Sequence, residues 1–159
     1  MINVRKGTAH SLAQTDFTGA AKTDEAVVAG MLVAKDTSVD IVKLTTLTTA
    51  AEAGQVGFAL TNQAEGDSIE SGLIGVYALD GNSVIETDQF TGSYTIADIG
   101  KAVIADGSTA GKVKAVAHGS VSTARVLGTV FDVPRSIYVG FTATTVLPIK
   151  LGAGPTTLT

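Results

Sequence analysis

The chain has 159 residues, a formal net charge of −4 and no cysteine. This length fits one domain with one core, the missing cysteines exclude disulfides and thiolate metal sites, and the acidic balance disfavours a nucleic-acid partner. No run of about 18 apolar residues is present and the amino terminus lacks the apolar stretch of a secretory signal, so we expect neither a membrane span nor export.

Residues 1–25 differ from the rest of the chain. They are mostly small and polar, follow neither the strand nor the helix period, and contain one adjacent basic pair, Arg5-Lys6, and one aromatic residue, Phe17. Such a terminus is usually mobile unless something holds it. We predict an extended N-terminal arm over 1–25 and a single β-rich domain over 26–159, with a frayed, functionless tail as the alternative for the arm.

From Ala26 onward, short runs rich in Val, Ile and Thr alternate with turn signals. This spacing predicts an all-β fold, a compact β-barrel or sandwich, rather than alternating strands and helices. The predicted strands are 26–34, 39–47, 56–60, 73–79, 83–87, 102–104, 112–116, 125–133 and 136–141.

At most one or two short helical turns are expected. The segment "TIADIG" has Thr95 as a candidate cap and Asp98 three residues later, which predicts one turn. A helix over 23–32 also has a cap in Thr23, but Gly30 lies inside it and the neighbouring valines favour a strand. We therefore predict a strand there.

Residues 106–113, "DGSTAGKV", are the part of the chain most like a phosphate-binding loop. The interval between Gly107 and Gly111 is one residue too short, however, and Val113 occupies the position that requires a metal-binding hydroxyl. We predict a β-hairpin tip instead, with Lys112 starting the return strand.

A weak internal repeat is also present. "GMLVAKD", from Gly30, and "GKAVIAD", from Gly100, share Gly, Val and Asp at equal offsets, and the apolar-Gly steps at Gly57 and Gly128 follow at nearly the same interval. A true repeat would make each half a hairpin followed by a return strand. Chance similarity in a Gly- and Val-rich chain is the alternative.

No group of side chains forms a recognised catalytic or metal-binding motif. His10 and His118 have no H-x-x-x-H spacing, and His118 is too close in sequence to Ser120 to act as its base across a cleft. The acidic residues of segment 65–70 lack the ligand series of an EF-hand. We predict no catalytic, cofactor or metal site, and no enzymatic activity.

The segment "YTIADIGKAVIADGSTAGKVKAVAHGSVSTARVLGTVFDVPRSIYVGF", residues 94–141, consists of a short turn, a strand, a "DG" hairpin, a Gly-containing strand and a closing strand. This pattern resembles the small head-decoration (capsid cement) proteins of tailed bacteriophages and their β-tulip domains. The stretches "AVVAGMLVAKDTSVDIVKL" and "GQVGFALTN" are similar to the first part of such domains. The resemblance extends over about residues 26–151.

The resemblance implies a structural virion protein, made in the host cytoplasm, that binds the outer capsid surface and has no cofactor. Trimers at three-fold and quasi-three-fold positions would clamp neighbouring major capsid proteins. An arm of this kind would add backbone hydrogen bonds to a capsid sheet edge. The expected arm contacts are Val4, Arg5, Lys6, His10 and Phe17.

The alternative is a receptor- or glycan-binding fibre or vertex module of a virion. Sugar platforms stack the sugar ring on exposed Trp or Tyr. The chain has no Trp and only Tyr77, Tyr94 and Tyr138, of which Tyr138 is expected in a core strand. The aromatic content therefore disfavours this alternative.

Overall fold

The computed structural model describes residues 1–6, 17–21, 26–35, 41–46, 56–64, 74–118, 120 and 125–157. Within these ranges the chain forms strands and one 3-10 turn, Ile96–Asp98, so the all-β prediction is confirmed. The strands are β1 (Ile2–Lys6), β2 (Phe17–Ala21), β3 (Leu32–Lys35), β4 (Ile41–Leu44), β5 (Val56–Ala59), β6 (Ile74–Ala78), β7 (Val84–Thr87), β8 (Ala102–Ala105), β9 (Val113–Val116), β10 (Arg125–Val130), β11 (Arg135–Val139) and β12 (Thr142–Thr157).

The first half of the chain forms a closed barrel with the strand order β2-β4-β3-β5-β6. The pairs are antiparallel except for β2 with β4, which is parallel and closes the barrel. Every residue of β5 is buried, as expected for a short strand of a small barrel that is covered on both faces.

The strands of the second half form a sheet to which β1 from the amino terminus is added. The order is β1-β7-β12-β10-β8-β9, and β11 pairs with β12 outside this path. A parallel bridge joins Phe90, just after β7, to Val113 in β9. Val113 accepts a hydrogen bond from the amide of Thr91 at 2.9 Å and donates to the carbonyl of Gln89 at 3.1 Å. These contacts join the segment that follows β7 to β9, the strand at the far end of the sheet.

The two halves repeat the same pairing order. β4-β3-β5-β6 in the first half corresponds to β9-β8-β10-β12 in the second. The register also agrees, because Val33 lies opposite Gly57 and Val103 lies opposite Gly128. The internal repeat is therefore confirmed at the level of strand order and register.

Gly57 and Gly128 serve the same purpose in the two halves. A Cβ atom on Gly57 would overlap the carbonyl oxygen of Tyr77, and one on Gly128 would overlap the carbonyl oxygen of Lys150. The neighbouring strand approaches the backbone too closely for any side chain, which explains why a strand interior contains glycine at these positions.

One hydrophobic core joins the two halves. Leu32, Phe58 and Tyr77 from the first half pack in the same buried cluster as Leu127 and Leu147 from the second. The Tyr77 hydroxyl lies 2.7 Å from the Ser83 hydroxyl in the interior, so the polar end of this large side chain is satisfied without water. The barrel and the sheet are thus packed against each other.

Two local predictions are confirmed. β8 and β9 pair with Ala105 opposite Val113, so "DGSTAGKV" is a hairpin tip. At the 3-10 turn, the amide of Thr95 donates to the Asp98 carboxylate at 2.7 Å and the Thr95 hydroxyl donates to it at 3.0 Å. No helix within the described ranges is long and apolar enough to cross a bilayer.

Other strand predictions are corrected. The predicted strand 26–34 is broken by a turn at Ala29-Gly30, where Gly30 has φ of 95°, and β3 begins only at Leu32. The long strand β12 follows the last predicted strand, 136–141, and was not predicted. Pro148 lies opposite Glu86, and its carbonyl accepts a hydrogen bond from Phe131 at 3.0 Å.

Candidate functional site

The most distinctive surface feature is the hairpin formed by β11 and the first part of β12, here called the β11–β12 hairpin (residues 135–146). Its register runs from Arg135 opposite Val146 to Val139 opposite Thr142. The turn is Gly140-Phe141, with Gly140 at φ of 62°, the left-handed conformation that two-residue hairpin turns require. At about 3.3 Å per residue, the ladder extends roughly 15 Å from its base.

The tip of this hairpin, here called the apolar tip, consists of Tyr138, Val139 and Phe141. Phe141 is fully exposed, and Tyr138 and Val139 are 77% and 51% exposed. The expectation that Tyr138 lies in a core strand is therefore wrong. Alternation within "SIYVGF" does mark strand faces, but this strand extends beyond the sheet, so no second layer covers it.

The base of the hairpin is held by an ion pair between a buried carboxylate and a half-exposed guanidinium. Glu86 in β7 is fully buried, and its carboxylate accepts hydrogen bonds from Arg135 Nε at 2.8 Å and from Asn3 Nδ2 at 3.0 Å. Arg135 Nη2 lies 2.6 Å from the same carboxylate. A planar guanidinium held at two nitrogens fixes the direction of the strand that carries it. The hairpin is thus held in one direction by its base.

The outer part of the hairpin has none of the usual protection of an exposed strand. Residues 136–145 contain no charged side chain and no proline, and within the described residues β11 pairs only with β12. Exposed edges are normally blunted by charges, proline or a covering element, and a two-stranded ladder is at best marginally stable in water. These features are typical of a surface that contacts another macromolecule.

A second exposed apolar surface lies near the hairpin base and is here called the base patch: Ile96, Ile99 and Phe131. Their exposed fractions are 79%, 44% and 42%.

The two chain segments that carry the base patch lie side by side. Backbone hydrogen bonds from Gly100 to Val130 and from Val130 to Lys101, both 2.9 Å, join them. Beside the patch, Asp98 and Lys101 form an ion pair with each other.

The residues predicted for the N-terminal arm lie in different places. Val4 is half-buried in β1 and packs against the core, and Arg5 and Lys6 complete that strand. Phe17 begins β2, opposite Val76 in the barrel. His10 lies outside the described residues. The described parts of the arm are thus strands of the chain's own sheets, because their backbone groups pair with β7, β6 and β4.

β1 is the edge strand of its sheet in the described part of the chain. It pairs on one side with β7, from Ile2 opposite Thr87 to Lys6 opposite Val84, and the register shifts between Val4 and Lys6. A shift of this kind is a bulge-like irregularity, which bends an edge strand. The other side of β1 is the place where an incoming strand could be added.

The carboxylates with lowered pKa values stabilise turns. Burial alone would raise the pKa of Asp106, but hydrogen bonds from Ser108 and Thr91, together with Lys114, outweigh burial and lower it. The Ser108 and Thr91 hydroxyls lie 2.9 Å and 3.0 Å from this carboxylate. Hydrogen bonds from Lys101 and then Thr95 lower the pKa of Asp98 to about 2.

Asp80 has the same role in the turn between β6 and β7. Burial would raise its pKa, but hydrogen bonds led by those from Ser83 and Asn82 lower it. Ser83 N and Asn82 N donate to the carboxylate at 2.8 Å and 3.0 Å. Each of these three carboxylates therefore has a structural role in a local turn.

In the part of the chain that the structure describes, few side chains are placed to bind a metal ion or another ligand. No group of three or more His, Asp or Glu side chains is placed there to hold a metal ion. The exposed His118 has its Nε2 3.2 Å from the carbonyl oxygen of Gly100. The carboxylate of the "DGSTAGKV" loop, Asp106, is bound to its own turn rather than left open for a ligand.

Comparisons with protein-family models, with curated proteins and with solved structures gave no match for this chain. The functional argument therefore depends on the hairpin, the base patch and the edge strand.

Proposed function

We propose that this protein is a structural component of a phage virion that binds the outer surface of the capsid. In this proposal trimers at three-fold and quasi-three-fold positions link neighbouring major capsid proteins and so stabilise the shell. The observation that carries the proposal is the uncharged β11–β12 hairpin with its apolar tip, which projects from the β body. The sequence resemblance to decoration proteins supplies the partner.

A hairpin held at its base suits the joining of neighbouring copies on a solid shell. The ion pair between Arg135 and Glu86 orders the hairpin before it binds, so little conformational entropy is lost on contact. Binding to the assembled lattice and not to free subunits stabilises the lattice by mass action. Many copies on one shell add small contributions from each contact.

The capsid contact is assigned to the N-terminal segment and to β1. A strand of the major capsid protein would pair with the side of β1 that no described strand occupies, which is the strand-addition mode of recognition. Arg5 and Lys6 lie on this strand, and their positive charge suits an acidic capsid rim. This places part of the predicted arm at the capsid as a receiving edge rather than as a free donor strand.

The test is co-sedimentation of the purified protein with expanded capsids assembled from the major capsid gene of the same genome. We expect saturable binding at about one copy per capsid subunit, as a closed trimer lattice requires. Reversing the charge of Arg5 and Lys6 should weaken binding, whereas the same reversal at Lys112 and Lys150 should not. Absence of binding, or only a few copies per particle, would contradict the proposal.

A glycan- or receptor-binding module is the second candidate, and the exposure of Tyr138 favours it. A Tyr that is 77% exposed beside a fully exposed Phe141 offers an aromatic face to a sugar ring. A glycan screen distinguishes the two functions. Glycan binding that is lost in Tyr138→Ala, together with no capsid co-sedimentation, would assign the protein to this class.

A further inference from the structure

We infer that the apolar tip of one copy binds the base patch of a second copy, so that copies associate head to tail. The inference deepens the proposed function, on which the expected ring of three copies rests. The contact itself is argued from the two surfaces and from their charges.

Within the described part of the chain, the two surfaces contain six of the seven large apolar side chains that are exposed. Among the described residues, the large apolar side chains that are exposed are the three of the tip, the three of the base patch, and Val28. Two clusters of this kind on one monomer are unusual unless each is covered in an assembly. Because one cluster projects and the other lies on the body, they can serve as the two sides of one contact.

The contact has to form between copies. Phe141 is fully exposed, so no described residue of its own chain covers it. The hairpin leaves the body next to the base patch, since β10 ends at Val130 and β11 starts at Arg135. The paired ladder then carries the tip roughly 15 Å away from that point. The tip therefore reaches a neighbouring molecule rather than its own patch.

Charge also favours a second copy as the occupant. The chain has a formal net charge of −4, so two copies carry net charge of the same sign. The outer hairpin carries no charge, and beside the patch the negative charge of Asp98 is paired with Lys101. Tip and patch can thus meet without like-charge repulsion or the burial of an unpaired ion.

A tip-to-patch contact uses different surfaces on the two partners. Such heterologous contacts close into rings when the rotation between copies permits, and otherwise produce open chains. A ring of three is the arrangement that a three-fold capsid position accepts. In that ring the apolar tip of each copy would contact the base patch of the next copy.

Cysteine cross-linking tests this contact directly, because the chain has no cysteine of its own. Phe141→Cys and Ile96→Cys are made as separate variants, mixed, and treated with a short bismaleimide that joins two thiols. We expect a cross-linked pair well above the yield from Phe141→Cys mixed with Thr61→Cys, an exposed position in the first half. Equal yields would overturn the contact, and efficient cross-linking of Phe141→Cys alone would replace it by a tip-to-tip contact.

Two further readouts complete the test. The double variant Phe141→Cys/Ile96→Cys should give products up to three copies, and products beyond three would overturn the closed ring. Phe141→Ser should weaken self-association in sedimentation equilibrium by roughly tenfold or more, since it removes a buried aromatic contact. The variant's thermal unfolding should match that of the unaltered chain, and unchanged association would contradict the inference.

Neither readout uses capsids, so the two proposals can fail separately. Cross-linking without capsid binding would overturn the capsid function and leave the contact standing. Capsid binding that is unaffected by Phe141→Ser, together with no cross-linking, would overturn the contact and leave the capsid function standing.

Discussion

Arg135 at the start of β11 contacts Glu86 in the middle of β7 through two guanidinium nitrogens, at 2.8 Å and 2.6 Å. Glu86 is fully buried, and Asn3 from the edge strand donates to its other carboxylate oxygen. This relationship connects the hairpin to the sheet. Together with the pairing of β11 and β12, it holds the base of the hairpin against β7.

Replacing Arg135 by Met should destabilise the fold, because it removes a guanidinium that contacts the buried carboxylate of Glu86. We expect a loss of about 2 kcal/mol in the free energy of unfolding, less than for fully buried pairs since Arg135 is half-exposed. Urea denaturation measures it. Lys150→Gln, an exposed charge on β12, is the matched control and should change little.

A double-mutant cycle separates the pair from its surroundings. Glu86→Gln combined with Arg135→Met should be less destabilising than the sum of the two single changes. Strict additivity would show that the two groups do not stabilise each other, and it would remove the argument that the pair orients the hairpin.

Gly128→Ala should be strongly destabilising. The added Cβ would overlap the carbonyl oxygen of Lys150 on the neighbouring strand, and relieving such overlap typically costs about 1–3 kcal/mol or more. Gly57→Ala should be destabilising for the same reason, since a Cβ atom on Gly57 would overlap the carbonyl oxygen of Tyr77. Gly107→Ala is the control, because nothing lies within 4 Å of its Cβ position. Thermal unfolding that ranks Gly107→Ala with the other two would contradict the duplicated architecture.

Through Asp106, the free energy of unfolding should depend on pH. Its pKa is lowered in the folded state, so its stabilisation is present above the unfolded pKa of about 3.9 and is lost as pH falls through the folded pKa. Urea midpoints between about pH 6 and pH 2 should therefore fall less steeply in Asp106→Asn than in the unaltered chain. Thr109→Ala, an exposed change in the same loop, should keep the original slope. Equal slopes in all three proteins would refute this role for Asp106.

Removing residues 152–159 should reduce stability. The end of β12 pairs with the start of β10 through Arg125 opposite Thr157 and Val126 opposite Thr156, and the Gly152 carbonyl accepts a bond from Gly81 at 2.8 Å. Loss of these bonds, each worth about 1 kcal/mol net, should lower the melting temperature measurably. Removal of 158–159 alone is the control. An unchanged melting temperature after the longer deletion would mean that this part of β12 does not support the fold.

Much of the fold could be predicted from local patterns. Turn residues such as Asp106-Gly107 and the cap formed by Thr95 and Asp98 act over a few residues, so the sequence displays them directly. The equal offsets after Gly30 and Gly100 also predicted the duplication, although only the shared register of Val33 and Val103 separates a true repeat from chance.

The rest depended on long-range pairing. β12 contains Pro and Gly, and β1 is too short and too polar to be distinguished from a terminal segment; both become strands because β7 lies between them. The exposure of Tyr138 was missed for the same reason, since alternation shows that a strand has faces but not whether another layer covers them. The sequence did contain one signal for the hairpin, the absence of charge over residues 136–145.

The central claim is that the protein stabilises a capsid by binding its outer surface. Calorimetric melting of expanded capsids, titrated with the purified protein, tests it most directly. We expect the melting temperature of the shell to rise with added protein and to level off near one copy per capsid subunit. A shell that melts at the same temperature with and without saturating protein would contradict the claim.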